Sequence, residues 1–232
     1  MGRFPQSKEA RGSLKWTQVV ANECPELINR PLRKCCMLPS DVPISWLSPI
    51  DSDDFAEYRD QAFLRLLGIH LEKRPLETFW PNRGPQWDAL GRSYSGELFL
   101  VESKSHISEI LSPGTSASTK SKILIEKSLK ELQSFLGVSP VVNWSAVLYQ
   151  YTNRLAHLYL LRELNHLRAF LIFLYFVGDR EMDGPSTVRE WESAIHIVRG
   201  VLGLKDRDKL SKYVLDIFID VADIKKAIAK AG

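Results

Sequence analysis

The stretch Gly96-Glu97-Leu98-Phe99-Leu100-Val101-Glu102-Ser103-Lys104-Ser105-His106 opens as an apolar run suited to a buried strand and ends on a carboxylate, an amine and an imidazole. Upstream, Gln86-Trp87-Asp88 carries a second carboxylate in another short extended segment. Strand side chains alternate between faces, so Glu102 and Lys104 share one. A connecting turn centred near Ser95 sets Asp88 directly opposite Glu102, whereas a turn centred between Arg92 and Ser95 shifts Asp88 opposite Phe99. In the first register two carboxylates and an ammonium converge at one edge of a sheet. Burying two carboxylates a few ångströms apart is unfavourable without a cation between them, and Lys104 neutralises only part of that charge. A divalent ion, Mg²⁺ or Mn²⁺, completes the compensation, because Mg²⁺ takes one or two carboxylates and leaves its other positions to water and phosphate oxygens. The chemistry that suits such a site is phosphodiester hydrolysis. The metal clamps the phosphate and acidifies a bound water, while Lys104, as ammonium or neutral amine, orients or deprotonates that water.

Those residues need elements to hold them. Residues 13–30 read as an amphipathic helix, with Leu14, Val19, Val20 and Leu27 on or near one face, and 31–49 as an irregular connector containing four prolines. The expected organisation is a basic helical arm and connector over 1–50 and an α/β core over 51–232. Ser52, backed by Asp53 and Asp54, opens a helix whose apolar positions are Phe55, Ala62, Phe63, Leu66 and Leu67 and which Gly68 closes. Extended pieces at 76–80, 86–91 and 97–104, separated by turn compositions, predict an antiparallel meander. Helices follow over 118–136, with Ile123, Leu124, Leu129, Leu132 and Phe135 inward, and over 144–166. A strand at 168–177, covered on both faces, precedes a helix at 187–202 and a segment at 214–221 that reads as strand or helix. This order predicts an α/β sandwich around a mixed sheet.

Asp88 and the Glu102-Ser103-Lys104 triplet on its apolar strand resemble the D…(D/E)XK signature of the PD-(D/E)XK nuclease superfamily, which includes type II restriction enzymes, archaeal-type Holliday junction resolvases and RecB-type nuclease domains. The helix, meander, helix, strand order from 53 to 177 is similar to that superfamily's core and covers half to two-thirds of the chain. The resemblance implies a restriction-endonuclease-like α/β/α sandwich. It also implies metal ligation by Asp88, Glu102 and the backbone carbonyl of Ser103, with Lys104 serving the nucleophile. Trp87 stands where the pattern nominally has proline, and two helices rather than one lie between the motif strand and the buried strand.

Other residues are candidates around this site. His106 continues the alternation and is a candidate phosphate contact or proton carrier, or a hydrogen-bonded surface residue. Glu57 is a candidate for the helix-borne acid that many superfamily members add to the metal site, although its helical position, opposite Phe55, favours solvent. Gln150, Asn153, Arg154 and His157 form a polar stripe at spacings of three and four on an otherwise apolar helix. Gln150 and Arg154 are candidates to hold the scissile strand, the alternative being the exposed edge of a surface helix. Some RecB-type members place a Gln on a comparable helix, with a Tyr where this chain has Arg154. Trp80, Trp87 and Tyr94 read as core packing rather than base stacking.

The whole-chain quantities permit this chemistry without announcing it. The 232 residues are 44% hydrophobic and 25% charged, with a net charge of +3, and the pI is near 8.7. A weakly basic balance of this kind accommodates nucleic acid, DNA by resemblance. No helix-turn-helix or zinc finger is visible, so a second subunit or partner specificity protein is the expected source of any sequence-specific recognition, and a homodimer is expected because cutting both strands takes two sites. Cys24, Cys35 and Cys36 cannot all pair, no secretory pattern precedes them, and no fourth zinc ligand stands nearby; reduced thiols in a cytoplasmic protein are expected. No apolar run approaches the roughly twenty residues that cross a bilayer. The rival to an enzyme is a catalytically inactive nuclease-like module that binds nucleic acid or protein and uses its charged triad as structural ion pairs.

Overall fold

The computed structural model describes residues 2–139 and 141–231; Met1, Pro140 and Gly232, the first and last of which bound the expected domains, lie outside the described residues. In chain order the elements are β1 (Arg3–Phe4), α1 (Gly12–Asn22), α2 (Glu26–Cys35), β2 (Ile44–Ser48), β3 (Glu57–Tyr58), α3 (Asp60–Leu67), α4 (Leu76–Phe79), β4 (Ala89–Ser93), β5 (Leu98–Lys104), α5 (Thr119–Leu136), α6 (Tyr149–Tyr159), β6 (Ala169–Val177), α7 (Val188–Leu202), β7 (Val214–Asp220) and α8 (Val221–Ala231). Five strands form one mixed sheet in the order β2-β4-β5-β6-β7, while β1 and β3 pair separately. The pairs β2–β4 and β4–β5 are antiparallel, and β5–β6 and β6–β7 are parallel.

Alternation along β5 divides the core. Leu98 and Leu100 face a cluster built with Phe63, Phe79, Leu129, Leu155 and Trp191 from α3 to α7. Phe99 and Val101 face Trp16, Ile28, Leu32 and Ile224 from α1, α2 and α8. The sheet is therefore flanked by helices on both faces. Among the described residues no helix is long and apolar enough to cross a membrane.

Several expectations need correction. The segment 1–50 is not an arm: α1 and α2 cover one face of the sheet, and β2 pairs with β4 as an edge strand of the sheet. The helix expected over 13–30 is two helices with the break at Glu23–Pro25, and α2 runs through Pro31, which forgoes one intrahelical hydrogen bond there. The helix expected from Ser52 is a short 3-10 turn, then β3, then α3. Its end at Gly68 is as expected, in the left-handed conformation that glycine adopts without strain. The first piece of the expected meander is the one-turn helix α4; a short apolar run after proline does not by itself distinguish strand from helix. The antiparallel meander exists, but β2 supplies its first strand. On α5, Ile123 is 65% exposed while Ile125 is buried. Trp80 and Trp87 are core residues as expected, whereas Tyr94 is 90% exposed at the turn between β4 and β5.

Candidate active site

The turn Tyr94–Gly96 fixes the register that brings the carboxylates together. Gly96 adopts a φ of +95°, which an L side chain resists, and the ladder pairs Arg92 with Leu98 through Ala89 with Val101. One step further places Asp88 across from Glu102, and the Asp88 amide donates to the Val101 carbonyl at 3.2 Å. Asp88 Oδ2 in turn accepts the Ser103 amide at 2.6 Å. The cleft lies beyond the carboxyl end of β5, where the sheet changes from antiparallel to parallel pairing, a usual place for a site in an open α/β sheet. Asp88, Glu102, Ser103 and Lys104 all line it.

Glu102 is the most constrained of them. It is 2% exposed, and Lys104 Nζ donates to its Oε1 at 2.6 Å. Arg154 Nε donates to its Oε2 at 2.6 Å, and a second guanidinium nitrogen pairs with the same oxygen. Burial alone would raise the Glu102 carboxyl, but the Arg154 and Lys104 charges outweigh it and hold the group below its usual value. Lys104 shows the mirror effect: burial would lower its amine, and the charges of Glu102 and Asp88 raise it instead. Lys104 is therefore an ammonium here, and the neutral-amine role offered by the sequence does not suit this environment. Its Nζ also donates to Gln150 Oε1 at 3.1 Å.

Glu57 enters the site by a route that the sequence misreads. On a helix it faces solvent, but on β3 it is buried and lines the same cleft. The bridge between Tyr58 and Trp87 holds β3 beside the Gln86-Trp87-Asp88 segment, where Gln86 Nε2 donates to Glu57 Oε2 at 2.5 Å. Desolvation first, then the negative charge of Glu102, pushes the carboxyls of both Glu57 and Asp88 upward.

Arg154, a candidate to hold the scissile strand, is 4% exposed and fully engaged: besides Glu102 it donates to Asn153 Oδ1 and to the Gln86 carbonyl. It positions Glu102. Gln150 reaches the cleft through Lys104. His106 does not line the cleft; its ring pairs with Ser108 Oγ at 2.5 Å and caps the short turn Ile107–Ile110. Sequence reasoning missed Gln86, although period-two alternation puts it on Asp88's face. It also missed Glu109, whose carboxylate accepts the Ser105 amide at 2.5 Å and the Ser13 hydroxyl at 3.0 Å, a contact between distant segments that carries no local signal. His157, part of the polar stripe, is buried against Trp80 with ring centroids 5.0 Å apart.

The donor set fits a hard cation sparingly. Three carboxylates, Glu57, Asp88 and Glu102, face two fixed cations, Lys104 and Arg154, and the carboxyls of Asp88 and Glu57 are raised by desolvation first and by the negative charge of Glu102 after it. Among the described residues no group of three or more His, Cys, Asp and Glu side chains is arranged to hold a metal ion, so a cation here would rest on Asp88, Glu102 and Ser103 and take its other ligands from water or substrate. Desolvation pushes the buried Cys24 thiol up to about 11 and the half-buried Cys36 thiol up to about 12. Compared with family models, curated proteins and solved structures, the chain matches none of them.

Proposed function

We propose that this chain is a metal-dependent nuclease of the PD-(D/E)XK type, with a restriction-endonuclease-like core, that hydrolyses phosphodiester bonds in DNA. The observation that carries the reading is the paired placement of Asp88 and Glu102 on adjacent strands, with the Lys104 ammonium fixed between Glu102 and Gln150 at the mouth of the same cleft. Asp88, Glu102 and the Ser103 carbonyl would hold Mg²⁺ or Mn²⁺, which when bound polarises the phosphate and acidifies a water. Lys104 would donate a hydrogen bond to the attacking water or to a non-bridging phosphate oxygen and so orient one against the other. Arg154 fixes the Glu102 rotamer, and Gln86 ties Glu57 to the same wall, so the anionic surface is set before substrate arrives. A second subunit or specificity partner would supply any sequence recognition, and a homodimer would supply the second site that cutting both strands takes.

One observation favours a second reading, the inactive nuclease-like module: both Glu102 oxygens are already in ion pairs. The test is Mn²⁺ uptake by calorimetry together with cleavage of plasmid and single-stranded DNA, with Asp88→Ala and Lys104→Ala as variants. The nuclease reading expects Mn²⁺ binding that Asp88→Ala abolishes, and cleavage that both variants abolish. A folded protein that neither binds Mn²⁺ nor cuts any substrate establishes the inactive module instead.

A further inference from the structure

We propose that the cleft acts on an unstacked nucleotide, held in an open chamber beside the carboxylates after Leu111 has wedged it out of its stack; this rests on the nuclease reading above. The chamber is a trough of about 610 Å³, within the roughly 300–1,000 Å³ range of sites that enclose small organic molecules. It runs directly into the catalytic cleft, because Gln86, Ser112, Pro113, Gln150 and Arg154 line both. The charges agree with this path. Among the described residues lining the chamber, the charged side chains are Arg83 and Arg154, the latter paired with Glu102, with no carboxylate, whereas the cleft sets Glu57, Asp88, Glu102 and Glu109 against Lys104 and Arg154. The cleft's excess of carboxylates disfavours a polyanion except where a metal sits, whereas Arg83 offers the chamber a cation for a phosphate.

Two aromatic and apolar features suit a base rather than a bare anion. Tyr149 lines the chamber, and its ring lies on that of Trp80 with centroids 6.4 Å apart and an interplanar angle of 18°, a platform on which a base can stack. Leu111 stands on the cleft rim immediately before the shared Ser112-Pro113 wall and is 70% exposed. An exposed leucine there contributes little to the core, whereas apolar wedges inserted between base steps are how proteins unstack DNA. A base inside a continuous stack cannot enter a recessed chamber without first leaving the helix.

The experiment uses full-length protein with Ca²⁺ in place of Mg²⁺, and 2-aminopurine walked through a duplex and through the matching single strand. The expected result is a fluorescence rise at a defined position of the duplex on binding, diminished by Leu111→Ser. Affinity should be higher for the single strand, where unstacking is already done. Tyr149→Ala should weaken single-strand binding about ten-fold, the order expected for one lost stacking contact, and Arg83→Ala should weaken it as well. Dark 2-aminopurine at every position, with duplex bound as well as or better than single strand, overturns the chamber and wedge while Mn²⁺-dependent cleavage leaves the nuclease reading standing. Failure to bind any DNA, together with no Mn²⁺ uptake, overturns both.

Discussion

At the scale of single residues, Arg154 shows how a buried ion pair is maintained and what its loss costs. Its guanidinium satisfies Glu102, Asn153 and the Gln86 carbonyl at once, so truncation leaves Glu102 with Lys104 alone in a dry environment. Arg154→Ala is expected to lower stability by about 3–5 kcal/mol, the usual consequence of removing one member of a buried pair, and Arg154→Lys to restore little, because an ammonium cannot make the forked contacts. Urea unfolding of the two variants checks both. His157 is the counterpart among neutral groups. Its Nδ1 donates to the Asn153 carbonyl at 2.8 Å, and desolvation lowers the imidazole to about 3. The unfolded chain takes up a proton near the ordinary value while the folded chain does not, so this contribution to stability is complete above that value and is lost as pH falls toward 3. The wild type should therefore lose about 1.4 kcal/mol per pH unit below 6.5 through this residue, and His157→Gln should remove that increment from the slope. Unfolding midpoints at pH 7 and pH 5 for both proteins measure the difference.

At the scale of elements, legibility followed the uniformity of the local pattern. β5 and β6 were readable as continuous apolar runs and α5 and α7 as apolar positions recurring at helical spacing, and α7 carries the Thr187 to Glu190 capping box that marks a helix start. The sequence left two registers open for Asp88, opposite Glu102 or opposite Phe99, and the observed turn, with Gly96 at positive φ, has the first of them. α4 was not readable, since its four residues lie between prolines and hold no full period, and β2 is a five-residue edge strand in a proline-rich segment. Glu57 follows from the same limit: the choice between a helix and a two-residue strand decides whether it meets water or the carboxylates. Contacts between distant loops were invisible to any local pattern. Gly184 is the sharpest case, because a Cβ there would stand 2.1 Å from the Ser105 carbonyl oxygen, backbone that cannot retreat without moving the end of β5. Gly184→Ala is accordingly expected to destabilise the fold by an amount typical of overpacking, about 1–3 kcal/mol, and, on the proposed nuclease reading, to weaken Mn²⁺ binding by shifting Lys104 and its neighbours. Thermal melts with and without Mn²⁺ separate the two effects.

For the whole molecule, the question is whether the first fifty residues are dispensable, as a basic arm would be. Their charge suggested an arm because Arg3, Lys8, Arg11, Lys15, Arg30, Arg33 and Lys34 stand against Glu9, Glu23 and Glu26 alone in the first thirty-four residues, but the apolar positions between them decide the packing. Trp16, Val20, Ile28 and Leu32 are all buried against β5, β6 and β7, and Trp16 Nε1 donates to the buried Asp179 carboxylate at 2.9 Å. Each such side chain contributes roughly 1.5–3 kcal/mol by leaving water, so four of them together rival the 5–15 kcal/mol or so that separates a typical domain from its unfolded state. Removal would also strip β2 from β4, leave β4, the strand that continues from Asp88, as an exposed edge of the sheet, and break the Thr17 Oγ1 to Ser103 Oγ hydrogen bond of 2.7 Å at the back of the site. A chain of residues 51–232 is therefore expected to aggregate or to populate a loosely packed state, not to behave as a trimmed nuclease core. Far- and near-ultraviolet circular dichroism of that fragment tests the point. A cooperative melt with a native near-ultraviolet spectrum would show that α1, α2 and β2 are the appendage that their charge suggests. Loss of the near-ultraviolet signal with helix content retained would place them in the core.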